Sequence, residues 1–258
     1  MRLIASPPTH GLNITKIKNR ILKNKNKLKT LESIRYFCRM STQIKGIIFD
    51  LDGTLADTQT DLADSMNGVL QQNNLPTHPY DAYKLFVGKG LKMLVTNALP
   101  EHLRKDSIIN PMLETLIEDY RENCLNKTEL YPRIAELLEV LSTRKIPLVV
   151  FTNKDHDLAV IVCEALLSPY NFTTVLGRTN SLPRKPHPAG ALLLAEQMNI
   201  PPAKTLYIGD TDNDMICANR AGMPSVGVLW GFRTEKELRD NGATFIVNEP
   251  LEIITLLK

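Results

Sequence analysis

The chain has 258 residues, 43% of them hydrophobic and 23% charged, enough to bury one sizeable core or one core plus a smaller accessory domain. No apolar run approaches the roughly 18–20 residues needed to span a bilayer, which excludes a membrane-embedded protein. The formal net charge of +3 hides a split, because residues 1–40 carry +9 and residues 41–258 carry −6.

The basic stretch comes first. ITKIKNRILKNKNKLKT is rich in Lys and Asn, with Ile14, Ile17, Ile21, Leu22 and Leu28 at loose helical spacing. It reads as an arm for nucleic acid or an anionic membrane surface, as a transit peptide, as a disordered tail, or as sequence upstream of a start at Met40. The tail and the later start are favoured, since runs of like charge are usually solvated.

From residue 44 the pattern changes. IKGIIF (44–49), IPLVVF (146–151), TLYI (205–208) and SVGVL (225–229) are short, nearly continuous apolar runs, as expected of strands buried on both faces of a parallel sheet. Amphipathic stretches lie between them: Ile134, Leu137, Leu138 and Leu141; Leu158, Ile161, Val162 and Ala165; and residues 188–198. This alternation predicts an α/β fold, a doubly wound, Rossmann-like parallel sheet. Residues 57–130 break the rhythm and read as helices only, with apolar spacing at Leu62, Met66, Val69 and Leu70, then at Met112, Leu113, Leu116, Ile117 and Tyr120. The expected organisation is a basic extension over 1–40, an α/β core from 41–56 and 131–258, and a helical cap over 57–130. The cysteines (Cys38, Cys124, Cys163, Cys217) have no short paired spacing. That suits reduced thiols in a cytoplasmic setting better than a disulfide framework or a zinc site.

Ligands of open α/β sheets bind beyond the carboxyl ends of the strands, and four polar clusters follow strand-like runs. In DLDGT, Asp50 and Asp52 leave a strand two residues apart, Gly53 permits a sharp turn and Thr54 adds a hydroxyl; capping of a loop is the bland alternative. In TNK, Thr152 and Asn153 offer a hydroxyl and an amide, as a helix N-cap also would. In RKPHP, two prolines fix the backbone around Lys185, which could otherwise be a solvated charge. In GDTDND, Asp210 follows a glycine and Asp214 lies about one helical turn on. Carboxylates from two strands can hold a hard cation, and capping competes as an explanation. Within the cap, Gly88, Lys89 and Gly90 form a loop where Lys89 could meet an anionic substrate group or simply be solvated.

DxDGT, a strand-end Ser/Thr, a later Lys-Pro and GDxxxD, in that order, resemble the haloacid dehalogenase superfamily, and most closely its phosphoglycolate phosphatase-like group. The likeness spans about residues 44–250, including FTNK, RKPHPAGALLLAEQMNI and YIGDTDNDMICANRAGMPSVGV. The resemblance implies a phosphatase for a small phosphate ester, such as 2-phosphoglycolate or a similar phospho-acid or phospho-sugar. Asp50 would be the nucleophile and Asp52 the general acid and base, with Thr152 and Lys185 stabilising the transferring phosphoryl group. Thr54 and Asn153 are expected to face the substrate, and Lys89 is added to them on its loop position alone, with plain solvation the favoured alternative. Mg2+ would be held by Asp50, the main-chain carbonyl of Asp52 and Asp210, with Asp214 orienting waters or Lys185 from behind. A sugar phosphomutase shares all these motifs. A nucleic-acid or membrane-surface binder using the basic arm is the reading from a different class. The expected state is a cytoplasmic monomer or homodimer, with no nucleic-acid or membrane partner.

Overall fold

The computed structural model describes residues 44–257, and the basic arm, Cys38 and Met40 lie outside the described residues. Strands β1 (Gly46–Phe49), β4 (Leu148–Asp155), β5 (Phe172–Arg178), β6 (Thr205–Gly209), β7 (Ser225–Val228) and β8 (Phe245–Val247) form one parallel sheet in the order β5-β4-β1-β6-β7-β8. Counting only these six along the chain, the spatial order is 3-2-1-4-5-6. The winding therefore reverses between β1 and β6, where doubly wound sheets open a crevice at their carboxyl edge. All of β1, β6 and β7 and nearly all of β4 are buried, which is why these runs are apolar without alternation.

Among the described residues, six helices accompany the sheet: α5 (Ile134–Thr143), α6 (His156–Leu167), α7 (Ala189–Gln197), α8 (Asp212–Arg220), α9 (Glu235–Asp240) and α10 (Glu252–Thr255). Ile48, Val149, Phe151, Leu194, Tyr207 and Met223 share one core cluster, with Phe151 and Tyr207 edge to face at 6.5 Å between ring centroids. Two readings of the sequence need correction here. Helix α6 buries Leu158, Ala159, Val162, Cys163 and Leu167, whereas Ala165 is exposed and Ile161 only half-buried. Its buried face therefore keeps Leu158 and Val162 of the expected stripe but turns toward Ala159, Cys163 and Leu167. Strand β4 also continues to Asp155, across an irregularity after Phe151, so Thr152 and Asn153 lie within it rather than after it. Cys124, Cys163 and Cys217 are buried free thiols.

Between β1 and β4 the chain makes a helical insert: α1 (Gln59–Gln72), α2 (Tyr80–Phe86), α3 (Leu91–Ala98) and α4 (Asp106–Asn123). The segment 57–130 is not helical throughout. Its ends pair as a short antiparallel ribbon, β2 (Ala56–Asp57) with β3 (Glu129–Leu130), extended by the bond from Tyr131 N to Leu55 O at 3.1 Å. Chain leaving and returning side by side satisfies its own backbone groups in this way. Leu62, Met66, Val69 and Leu70 of α1 are buried, as are Met112, Leu116 and Tyr120 of α4. No helix among the described residues is long and apolar enough to cross a membrane.

Candidate active site

Strand β1 stops at Phe49, and Asp50 is the first residue past it, tied to β6 through its amide to Ile208 O at 2.8 Å. The next residues turn tightly. Gly53 takes φ +83°, and a Cβ there would stand 2.4 Å from Asp210 Oδ2, so the turn needs glycine for its conformation and for space. Asp50 and Asp52 are both beyond the strand, and the bend rather than strand alternation aims them. They nevertheless line the same cavity.

Asp210 leaves the neighbouring β6. Thr54 Oγ1 donates to its Oδ1 at 3.0 Å and the Phe232 amide to its Oδ2 at 2.8 Å. Thr54 is fully buried, so its hydroxyl serves Asp210 and not the cavity. Asp214 opens α8 in a capping box: Thr211 N and Oγ1 donate to Asp214 Oδ2 at 3.0 and 2.5 Å. Its other oxygen accepts from Lys185. Capping and charge pairing are thus combined in one carboxylate.

Lys185 is 2% exposed. Its ammonium lies 2.8 Å from Asp50 Oδ1 and 2.7 Å from Asp214 Oδ1, and donates to Phe151 O at 3.1 Å. Asn153 fixes the lysine's backbone from both sides, accepting from Lys185 N at 2.9 Å and donating to Lys185 O at 3.2 Å. Asp50, Asp210 and Asp214 can each present an oxygen within 4.8 Å of the others. Burial first, then the charge of Asp214, hold the Asp50 carboxyl well above the usual carboxylate range against the pull of Lys185. The same two causes push Asp210 up to about 7. Burial alone would lower the Lys185 ammonium, but Asp214 and Asp50 outweigh it and raise it above the ordinary lysine value. Three carboxylates and one ammonium leave two formal negative charges. An all-oxygen donor set with that surplus fits a hard divalent cation.

Asp52 faces a different cation. Its Oδ1 accepts from Lys154 Nζ at 2.9 Å and from Thr58 Oγ1 at 2.8 Å. Lys154 also donates to Tyr120 Oη at 2.8 Å and lies over that ring, 4.6 Å from its centroid. Thr152 lines the cavity, and its Oγ1 accepts from Lys154 N at 3.2 Å. The opposite wall comes from the insert: Val87, Gly88, Gly90, Leu91 and Leu94. Lys89 is exposed and its side chain does not line the cavity, unlike its glycine neighbours. Core side chains grip this loop by its carbonyls: Asn153 Nδ2 holds Gly88 O at 3.1 Å, Arg184 Nη1 holds Lys89 O at 3.2 Å and Arg233 holds both Lys84 O and Val87 O.

Residues 47–228 match the sequence profile of the family described as haloacid dehalogenase-like hydrolase. The chain belongs to that family. Among curated relatives of this hydrolase, the phosphoglycolate phosphatase of Haemophilus influenzae is 31% identical over 224 residues, covering 84% of this chain and all of the relative. That of Chromobacterium violaceum is 32% identical over 219 residues, covering 83% and 97%. A crystal structure described as a predicted phosphoglycolate phosphatase of Haemophilus somnus superposes with a TM-score of 0.78 at 30% identity, covering 84% of this chain and 99% of that one.

Several members of this hydrolase's site were not singled out from the sequence. Lys154 stands in the TNK motif, two residues after Thr152, and that period-two spacing was a usable signal. Tyr120 was read only as part of an apolar stripe. Phe232 contributes a main-chain amide, for which no side-chain pattern exists.

Proposed function

We propose that this haloacid dehalogenase-like hydrolase is a magnesium-dependent phosphatase of small phosphate monoesters, with 2-phosphoglycolate its foremost substrate. The observation that carries the reading is Asp50, which belongs both to the cavity wall and to the carboxylate cluster behind it. Asp50 Oδ1 is occupied by Lys185 and by the Leu51 amide at 2.7 Å, so Oδ2, which has no protein partner among the described residues, is the oxygen to attack phosphorus. Asp52 delivers a proton to the leaving oxygen, then accepts one from the water that hydrolyses the aspartyl phosphate. Thr152 and Lys185 offer donors to the transferring phosphoryl oxygens. Asp50, the main-chain carbonyl of Asp52 and Asp210 would hold Mg2+, which when bound neutralises the charge shared by a carboxylate and a phosphate dianion. Asp214 is filled by Thr211 on one oxygen and by the Lys185 ammonium on the other, whereas Asp210 meets only the neutral donors Thr54 and Phe232, which supports a role for Asp214 behind the cation rather than on it.

The insert supplies one wall of the cavity, through Leu62, Val87, Gly88, Gly90, Leu91 and Leu94. Residues 57–130 therefore act as a cap that opens to admit a small ester and closes over it. The names borne by the curated relatives support phosphoglycolate in particular.

The test is phosphate release across a panel of small phosphate esters, with Mg2+ or after exhaustive chelation. Phosphoglycolate should lead the panel by kcat/KM, activity should require the cation, and Asp50→Asn should reduce turnover by far more than a hundredfold. Full activity of that variant, or of the chelated enzyme, would remove the proposal. Turnover that requires a sugar bisphosphate without phosphate release would identify a mutase instead.

A further inference from the structure

Asp52 is fixed by two donors on a single oxygen. Lys154 Nζ and Thr58 Oγ1 both bind Oδ1, and among the described residues Oδ2 has no protein partner while the residue lines the cavity. The carboxylate plane is thereby set and one oxygen is left to carry a proton. The lysine is in turn held from the insert. Its side chain is 2% exposed, its ammonium donates to Tyr120 Oη at 2.8 Å, and the tyrosine ring covers it at 4.6 Å. Tyr120 lies near the end of α4, and Thr58 immediately precedes α1. The contacts on Asp52 therefore depend on the insert twice: once directly, and once through a core lysine that the insert clasps.

We propose that Lys154 and Tyr120 are positioning residues for Asp52, so that the proton-transfer group is correctly oriented only while α4 lies against the core. The inference deepens the proposed function and rests on it for the role of Asp52, but the orientation of Asp52 can be tested separately from that role. With the insert swung away, Lys154 loses the tyrosine hydroxyl and Asp52 loses its second-hand anchor. Protons are then transferred efficiently only in the closed arrangement. A ring that merely filled space at position 120 would not need its hydroxyl 2.8 Å from an ammonium.

The experiment uses the full chain with Mg2+, an alkyl phosphate and p-nitrophenyl phosphate. Lys154→Met should lower kcat on the alkyl phosphate by about 10- to 100-fold, the usual cost of losing a partner behind a reacting group. Tyr120→Phe keeps the ring and should cost about 3- to 10-fold, one hydrogen bond's worth, with KM nearly unchanged. The wild type, each single variant and each combination with Asp52→Asn are then all read for kcat on p-nitrophenyl phosphate, so that the cycle closes on one substrate. Both losses should vanish in that background, because a residue acting through Asp52 has nothing left to orient. Losses that persist undiminished beside Asp52→Asn overturn the proposal, and so does a Tyr120→Phe enzyme with wild-type kcat. Should Lys154→Met fail to fold by circular dichroism, Tyr120→Phe decides alone. Equal losses for both substrates in Asp52→Asn would refute the acid–base role of Asp52. Non-additivity in the cycle would still establish that Lys154 and Tyr120 act on it.

Discussion

Replacing Lys185 with methionine removes the only cation paired with Asp50 or Asp214 among the described residues. Both carboxylates are nearly or wholly inaccessible, at 5% and 0% exposure, and the shape of the side chain is roughly kept. Breaking a buried ion pair by deleting one partner costs about 3–5 kcal/mol because the other charge stays buried. In a body of this size, that loss corresponds to a fall in Tm on the order of 6–20 °C. Thermal unfolding in a chelator isolates the effect from any cation that could stand in for the ammonium. Asp50, already held above the usual carboxylate range, responds by taking up a proton. A carboxyl raised in the folded state binds more protons there than when unfolded, so its contribution weakens as pH rises. Asp210 already stands at about 7, so the deficit of Lys185→Met should grow as pH increases through that value. Adding Asp214→Asn removes one orphaned charge and should restore about 1–2 kcal/mol of the loss. An unchanged Tm in Lys185→Met, or a double variant weaker than both singles combined, would refute this account of the cluster.

Gly53→Ala should reduce turnover at least about a hundredfold, since the new methyl would press on Asp210 from a backbone at φ +83°; wild-type phosphate release would contradict it. Arg233→Ala frees the carbonyls of Lys84 and Val87 and should raise KM by up to about tenfold, two modest hydrogen bonds' worth, as steady-state kinetics would report. Removing residues 1–39 should leave kcat intact, because every residue assigned to the site lies within 44–257; a large loss of kcat in the shortened chain would disprove this.

The sheet was legible because burial on both faces favours nearly unbroken apolar runs, and β1, β6 and β7 are buried along their whole length with only Thr205 and Ser225 as small polar exceptions. The acidic centre was legible for a related reason. Asp50 and Asp210 sit where adjacent strands end, and a carboxylate directly after an apolar run is costly to place without a use. Other features leave weaker traces. The ribbon of β2 and β3 is two residues per strand, too short for any period to emerge. The buried face of α6 is turned by one position, toward Ala159 and Cys163, by how the helix docks, a property of the assembled packing. Tyr120 obeys apolar spacing because its ring is buried in the insert, so the stripe conceals the hydroxyl that reaches Lys154. The Phe232 amide on Asp210 exists only once the loop after β7 has folded beside β6.

The grip of the core on the loop at residues 84–89 has a consequence for how this enzyme can diversify. Asn153, Arg184 and Arg233 hold the carbonyls of Lys84, Val87, Gly88 and Lys89 and take nothing from their side chains. A carbonyl is present whatever residue is coded, so the exposed Lys84, Leu85 and Lys89 can drift without loosening this grip, whereas Phe86 packs edge to face on His78 and Tyr83. Of the side chains by which the insert shapes the cavity, Leu62, Leu91 and Leu94 lie outside the gripped loop. A library randomised at those three positions, with the two arginines and Asn153 retained, would sample new leaving groups on an unchanged phosphoryl-transfer machine.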